Sequence, residues 1–131
     1  MGNTKTVGNT SEAMVIARLV ELGYPVLIPF GDNERYDLVV EIDGSFKRVQ
    51  VKTARLVNGT LSIPVSSSHY HANGKRKSYK GQVDTIMAYS PDTKKVYKLD
   101  INDVGTTEVR LRISDPKFAD PKIRNASNYE F

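Results

Sequence analysis

The chain of 131 residues has no cysteine, which excludes disulfides and thiolate metal sites and fits a reducing compartment. Zinc held by cysteines is ruled out. No apolar run is long enough to span a bilayer, and no basic-then-apolar leader of the secretory type stands at the N-terminus. A membrane role is therefore not expected, and the sequence reads as a soluble, intracellular, cytoplasmic protein. No internal repeat or long low-complexity tract divides it, so one domain over residues 1–131 is expected. What is present suffices for a core: 39% of the residues are hydrophobic.

The net charge of +4, with a pI near 9.3, is a modest excess that many proteins without a nucleic-acid partner share. Its distribution is more informative. His69, His71, Lys75, Arg76, Lys77 and Lys80 crowd into one stretch containing Gly, Ser and Asn, and Lys117, Lys122 and Arg124 form a second group. Either could face phosphates. For the first stretch the competing reading is a solvated surface loop. His69 and His71 have an i, i+2 spacing open to metal, but no third ligand lies close in sequence, and a DNA-facing loop suits them better.

Residues 1–8 read as a polar lead-in. Asn9-Thr10-Ser11 offers helix caps, Glu12 to Leu22 carries apolar residues at helical spacing, and Gly23 suits the end. Pro25 to Phe30 reads as a short buried strand closed by Gly31-Asp32-Asn33. Arg35 to Ile42 and Ser45 to Thr53 are strands joined by the tight turn Asp43-Gly44. Asn58-Gly59 marks another turn, between Leu56-Val57 and Leu61 to Val65. Ser66 to Gly81 looks like an exposed loop with at most a turn of helix. Val83 to Tyr89 and Lys95 to Leu99 form a further hairpin through Pro91-Asp92, and Val109 to Ile113 is a last strand. A helix followed by strands predicts an α+β domain with a mixed sheet.

The Asp43-Gly44 turn sets a register. Ile42 pairs with Ser45 and Glu41 with Phe46, and continuation opposes Asp37 to Gln50, with Lys52 further along the same face. Leu38, Val40 and Ile42 then point the other way with Val49 and Val51. Glu12 aligns with Ile16 and Leu19 on the helix, near its N-terminus in this reading, and would approach Asp37 if the helix packs on the sheet. Two carboxylates, an amide and a lysine suit a divalent-metal phosphodiesterase. Hard oxygens hold Mg²⁺, and a lysine positions or deprotonates the attacking water and stabilises charge on phosphorus. Such a trio on a hairpin is more often a solvated surface, and Glu12 more often a first-turn helix acid. Asp84 reads as a structural acid, Tyr36 as packing, and Arg110 and Arg112 as one face of a strand that lines DNA or an oligomer contact.

At Tyr36-Asp37-Leu38-Val39-Val40 and Val49-Gln50-Val51-Lys52, the sequence resembles the PD-(D/E)XK nuclease superfamily. Asp37 matches the first acid, Gln50 the D/E position, Lys52 the lysine, and Glu12 the helix glutamate of many members, archaeal Holliday junction resolvases among them. With Ser11-Glu12, Leu22 to Val26, Pro29 to Asp32, Tyr79 to Asp84 and the stretch from Arg124 to Tyr129, the pattern is similar to the group I intron-associated branch of homing endonucleases. That resemblance implies a restriction-endonuclease-like αβββαβ core and cleavage of double-stranded DNA with Mg²⁺, for which Mn²⁺ would substitute. It further implies a homo-oligomer, dimer or tetramer, cutting both strands. Metal ligands would be Asp37, the Val51 carbonyl and Glu12. Gln50 departs from the superfamily's acid, though glutamine looks usual in the intron-associated branch. A Holliday junction resolvase and a catalytically inactive DNA-binding domain of the same fold are the alternatives.

Overall fold

The structure is a computed structural model that describes residues 3–31, 34–70, 76–114 and 122–131. In chain order its elements are α1 (Thr4–Glu21), β1 (Val26–Leu27), β2 (Leu38–Ile42), β3 (Ser45–Thr53), β4 (Arg55–Val57) and β5 (Thr60–Pro64). There follow β6 (Ser66–Tyr70), β7 (Arg76–Ser78), β8 (Thr85–Ser90), β9 (Lys95–Asp100) and β10 (Glu108–Arg112), with 3₁₀ turns at Ile101–Asp103 and Ala126–Tyr129. No helix among the described residues is long and apolar enough to cross a membrane.

Helix α1 starts eight residues before the expected Glu12. Asn3 caps it, its Oδ1 accepting the Thr6 N–H at 2.9 Å. Three threonines and Gly8 make this first part a poor helix by propensity. Tertiary contact offsets that weakness: Ser11 is buried and its hydroxyl bonds that of Thr53 on β3 at 2.6 Å. The buried stripe is Ser11, Val15 and Leu19, each one turn on, while Val20 is exposed. Gly23, at φ 87°, ends the helix as expected. Its N–H bonds the Val20 carbonyl and that of Tyr24 the Leu19 carbonyl, which satisfies two orphan acceptors.

The central sheet has the order β1-β2-β3-β8-β9, with β3 and β8 parallel and the other pairs antiparallel. The expected strand at Pro25 to Phe30 shrinks to two residues on the sheet edge, and Ile28 and Phe30 are exposed. Pro25 and Pro29 bracket it and lack the N–H that a ladder needs. The Asp43-Gly44 turn forms as expected, with both residues at positive φ and pairs running from Ile42↔Ser45 to Leu38↔Val49. Asn58 and Gly59 likewise turn β4 into β5.

A second, three-stranded sheet, β10-β5-β4, covers one face of the central sheet, and α1 covers the other. Val15 and Leu19 of α1 meet Leu38, Val40, Val49, Val51 and Met87 in one core. Leu61, Ile63, Val109 and Leu111 meet Ile86, Ala88, Tyr97 and Leu99 in the other. β8 lies between them with all six residues buried. Each fully buried aliphatic side chain contributes roughly 1.5–3 kcal/mol. The result is a mixed α+β fold, as the sequence indicated. The second helix of an αβββαβ order has no counterpart among the described residues: strands β4 to β7 make the crossover between parallel β3 and β8. Among the described residues, the expected loop from Ser66 to Gly81 contains an antiparallel pair, β6 with β7.

Candidate active site at the end of β3

β3 presents two faces at its C-terminal half. Val49 and Val51 are buried toward α1. Gln50 and Lys52 alternate with them and stand beside Ile86 and Ala88 of β8, both half-buried at the margin of the other core. Asp37 joins them in a way the turn register does not supply. The β2–β3 ladder stops at Leu38↔Val49, and Asp37 does not continue it opposite Gln50. Its N–H donates to the Val49 carbonyl at 2.8 Å, and its Oδ2 accepts the Val51 N–H at 2.8 Å. A charged oxygen has replaced a carbonyl as the acceptor for Val51, and charge-assisted bonds of this kind are the stronger ones. The carboxylate is thereby pinned at the end of β3.

Glu12 reaches this point from the opposite layer. It sits in the third turn of α1, not the first, so the helix N-terminus contributes little to it. It is half-buried beside the Ser11–Thr53 contact that seats the helix on β3. Burial, and then the negative charge of Asp37, raise its carboxyl above the ordinary glutamate value. Burial also raises Asp37, while the Val51 N–H and the Lys52 ammonium act in the lowering direction. Two carboxylates that burial makes reluctant to ionise, with a single lysine acting on one of them, form a site short of positive charge.

Lys52 is held from the other side. Its Nζ donates to the Tyr79 hydroxyl at 3.0 Å, and Tyr79 is 5% exposed. The Arg35 guanidinium lies 4.4 Å from the centre of the same ring and bonds Gln82 Oε1. From the sequence, Tyr79 falls in the expected Ser66 to Gly81 loop and Arg35 begins an expected strand, and neither is expected to meet Lys52. The 27-residue separation of Lys52 and Tyr79 leaves no local signal for their contact. The Gln50 carboxamide lies against the backbone, its Nε2 3.5 Å from the Val51 carbonyl. Rotation of that carboxamide by half a turn directs its oxygen to the same place.

The remaining candidates separate from this cluster. Asp84 is structural, as expected: its two oxygens clasp the Arg48 guanidinium at 3.0 and 3.1 Å, and Oδ2 also accepts the Arg48 N–H. These bonds hold its carboxyl below the usual aspartate value. Tyr36 packs on the second core. Arg110 pairs with Glu108 on its own strand. His71 and Lys75 lie outside the described residues, as do the side chains of His69, Arg76 and Lys77 on β6 and β7. Lys80 is exposed just beyond Tyr79.

Among the described residues no three of His, Asp and Glu gather in one place. A divalent ion here would rest on the Glu12 and Asp37 carboxylates and on neutral oxygens of Gln50 and Val51. These are hard donors, and the uncompensated charge of the two acids fits a hard cation.

The PD-(D/E)XK endonuclease family matches residues 2–131, practically the whole chain. The chain belongs to that family. Among solved structures it is similar to a bacterial homing endonuclease, I-Ssp6803I, with a TM-score of 0.79 and 26% identity, covering 98% of this chain and 89% of that one. Among curated proteins it is 40% identical over 57 residues to Protein 5.3 of Escherichia phage T7. That match takes in 44% of this chain and spans about half, 48%, of the phage protein. The chain thus carries a PD-(D/E)XK endonuclease family domain in a fold similar to that of a homing endonuclease.

Proposed function

We propose that this chain is a divalent-metal-dependent endonuclease that hydrolyses phosphodiester bonds in double-stranded DNA at a specific site, as a homing endonuclease of the intron-associated branch does. One observation carries the reading: two half-buried carboxylates, Glu12 and Asp37, meet Lys52 at the end of β3. Asp37 is the principal ligand for Mg²⁺, with the Val51 carbonyl second and Glu12 assisting. Such an ion, when bound, neutralises phosphate charge and acidifies a water. The chain's own groups do the rest. The Val51 N–H fixes the Asp37 carboxylate, Gln50 orients a water or adds a neutral ligand, and the Lys52 ammonium stabilises negative charge developing on phosphorus.

A groove of about 530 Å³ runs beside the site between the N-terminal half of α1 and β3 to β5, lined by Gly8, Ser11, Lys52, Thr53 and Arg55 among others. It suits a sugar–phosphate strand, with the basic β6–β7 segment holding further phosphates. We propose that residues 1–131 act as one nuclease domain and that two copies in a homo-oligomer cut the two strands.

The test uses purified protein with Mg²⁺ and three substrates: a plain linear duplex, a four-way junction and a duplex library with randomised insertion sites. Enrichment of one cleaved sequence from the library is the expected result. Cutting of the junction alone makes the chain a resolvase instead. Binding without cutting in Mg²⁺ or Mn²⁺, unchanged in Lys52→Ala, identifies a silent DNA-binding domain and overturns the proposal.

A further inference from the structure

We infer that Tyr79 is the residue that positions Lys52 for the reaction, and that Arg35 braces Tyr79 from its ring face. The inference rests on the proposed role of Lys52 and adds a positioning residue to the group of Glu12, Asp37, Gln50 and Lys52. A lysine has four rotatable carbons and a compact ammonium, so an exposed one samples many positions and only a few serve a single phosphate. Lys52 is restrained at its tip. The Tyr79 hydroxyl accepts a hydrogen bond from its Nζ at 3.0 Å, whereas the ring centre is 4.9 Å away. The contact is therefore with the phenolic oxygen first and the π-face second.

The phenol itself is well anchored. The ring is buried in the core shared by the central and the three-stranded sheets. Its backbone carbonyl accepts the N–H groups of both Gln82 and Val83, which ties residue 79 to the turn leading into β8. The Arg35 guanidinium lies 4.4 Å from the ring centre and is itself bonded to Gln82 of that turn. Arg35 precedes Asp37 by two residues, so the brace joins the segment carrying the acid to the aromatic that holds the lysine. A buried phenol whose oxygen faces an ammonium is consistent with a rigid support for a catalytic group. Tyr79 touches no reacting atom in this scheme. It acts through Lys52.

The experiment is a double-mutant cycle on the full-length chain, with Tyr79→Phe, Lys52→Ala and the two combined. Single-turnover cleavage in Mg²⁺ is measured on a duplex recovered from the library selection, with DNA affinity measured in Ca²⁺. Tyr79→Phe retains the ring and its packing and removes only the hydroxyl. A positioning role requires a loss of about 10- to 100-fold in the cleavage rate with DNA affinity within about 2-fold of wild type. Lys52→Ala loses about 10³-fold, and the double variant is no slower than Lys52→Ala alone. A structural role instead lowers the melting temperature and multiplies with the lysine loss. Arg35→Gln, which leaves the phenol in place, gives a smaller loss that also vanishes in the Lys52→Ala background.

Full cleavage by Tyr79→Phe, or losses that multiply in the double variant, overturn the inference while leaving the nuclease reading standing. Full activity of Lys52→Ala overturns the underlying reading instead, so the two failures are distinguishable.

Discussion

Asp37 is the residue on which stability and chemistry conflict. Burial raises its carboxyl, so the folded chain holds that proton more tightly than the unfolded chain does. Ionisation therefore lowers stability at every pH above the folded value. The penalty fades as pH falls through that value and is absent below the unfolded value. Asp37→Asn removes the charge and retains an oxygen for the Val51 N–H. It is expected to raise unfolding stability at pH 7.5 by about 1 kcal/mol and to abolish cleavage. Urea titrations of both proteins at pH 7.5 and near pH 4 check this, the gain shrinking at the lower pH. A destabilised Asp37→Asn at pH 7.5 contradicts the account.

Gln50 gives the complementary experiment. On the proposed reading its amide would ligate without charge, so Gln50→Glu adds an anion where the site has two. Without metal the variant is expected to lose about 1 kcal/mol of stability, from a third carboxylate near two reluctant ones. With Mg²⁺ the sign reverses: calorimetry should record tighter metal binding, and cleavage should survive or rise. Unchanged metal affinity places Gln50 away from the ion.

Among the elements, the β2–β3 hairpin does most to build the site. Its turn needs positive φ at Asp43 and Gly44, and Gly44 stands at φ 80° with open space where a Cβ would go. A Cβ there meets nothing within 4 Å, so the penalty is chiefly backbone strain. Gly44→Val should cost about 1–2 kcal/mol. The urea midpoint falls with the slope unchanged, and cleavage at 25 °C persists because the register is also held by Leu38, Val40 and Val49 in the core. Helix α1 works differently. Its N-terminal half carries weak helix formers and depends on Asn3 and the Ser11–Thr53 bond, and that half delivers Glu12.

At the scale of the whole molecule, the two layers divide the labour. α1 brings one acid from one face of the central sheet, the opposite face carries Lys52 and Tyr79, and Asp37 stands where they meet. Lys75, Arg76 and Lys77 precede Tyr79 in sequence, and Lys80 follows it. If they contact phosphates, neutralising Lys75, Arg76, Lys77 and Lys80 together lowers the slope of log affinity against log salt by about 3–4. DNA binding at several NaCl concentrations tests this, and an unchanged slope removes the segment from the interface.

What the sequence determined by itself is local. Apolar spacing on α1, positive-φ residues at Asp43-Gly44 and Asn58-Gly59, and alternation along Ser45 to Thr53 each depend on neighbours a few residues apart. Those signals located β3 to the residue and aligned it with β2. They also drew attention to Asp37, Gln50 and Lys52 as one candidate group, which the family-like motif then reinforced. Tertiary structure decided the rest. Asp37 leaves the ladder, and its carboxylate accepts the Val51 N–H. Among the described residues, strands take the place of a helix between β3 and β8, and Leu61, Ile63, Val109 and Leu111 cover that face of the sheet. Lys52 meets Tyr79 across 27 residues, and Ser11 meets Thr53 across 42. No periodicity encodes such distances: they follow from which surfaces pack together, and packing is a property of the whole chain.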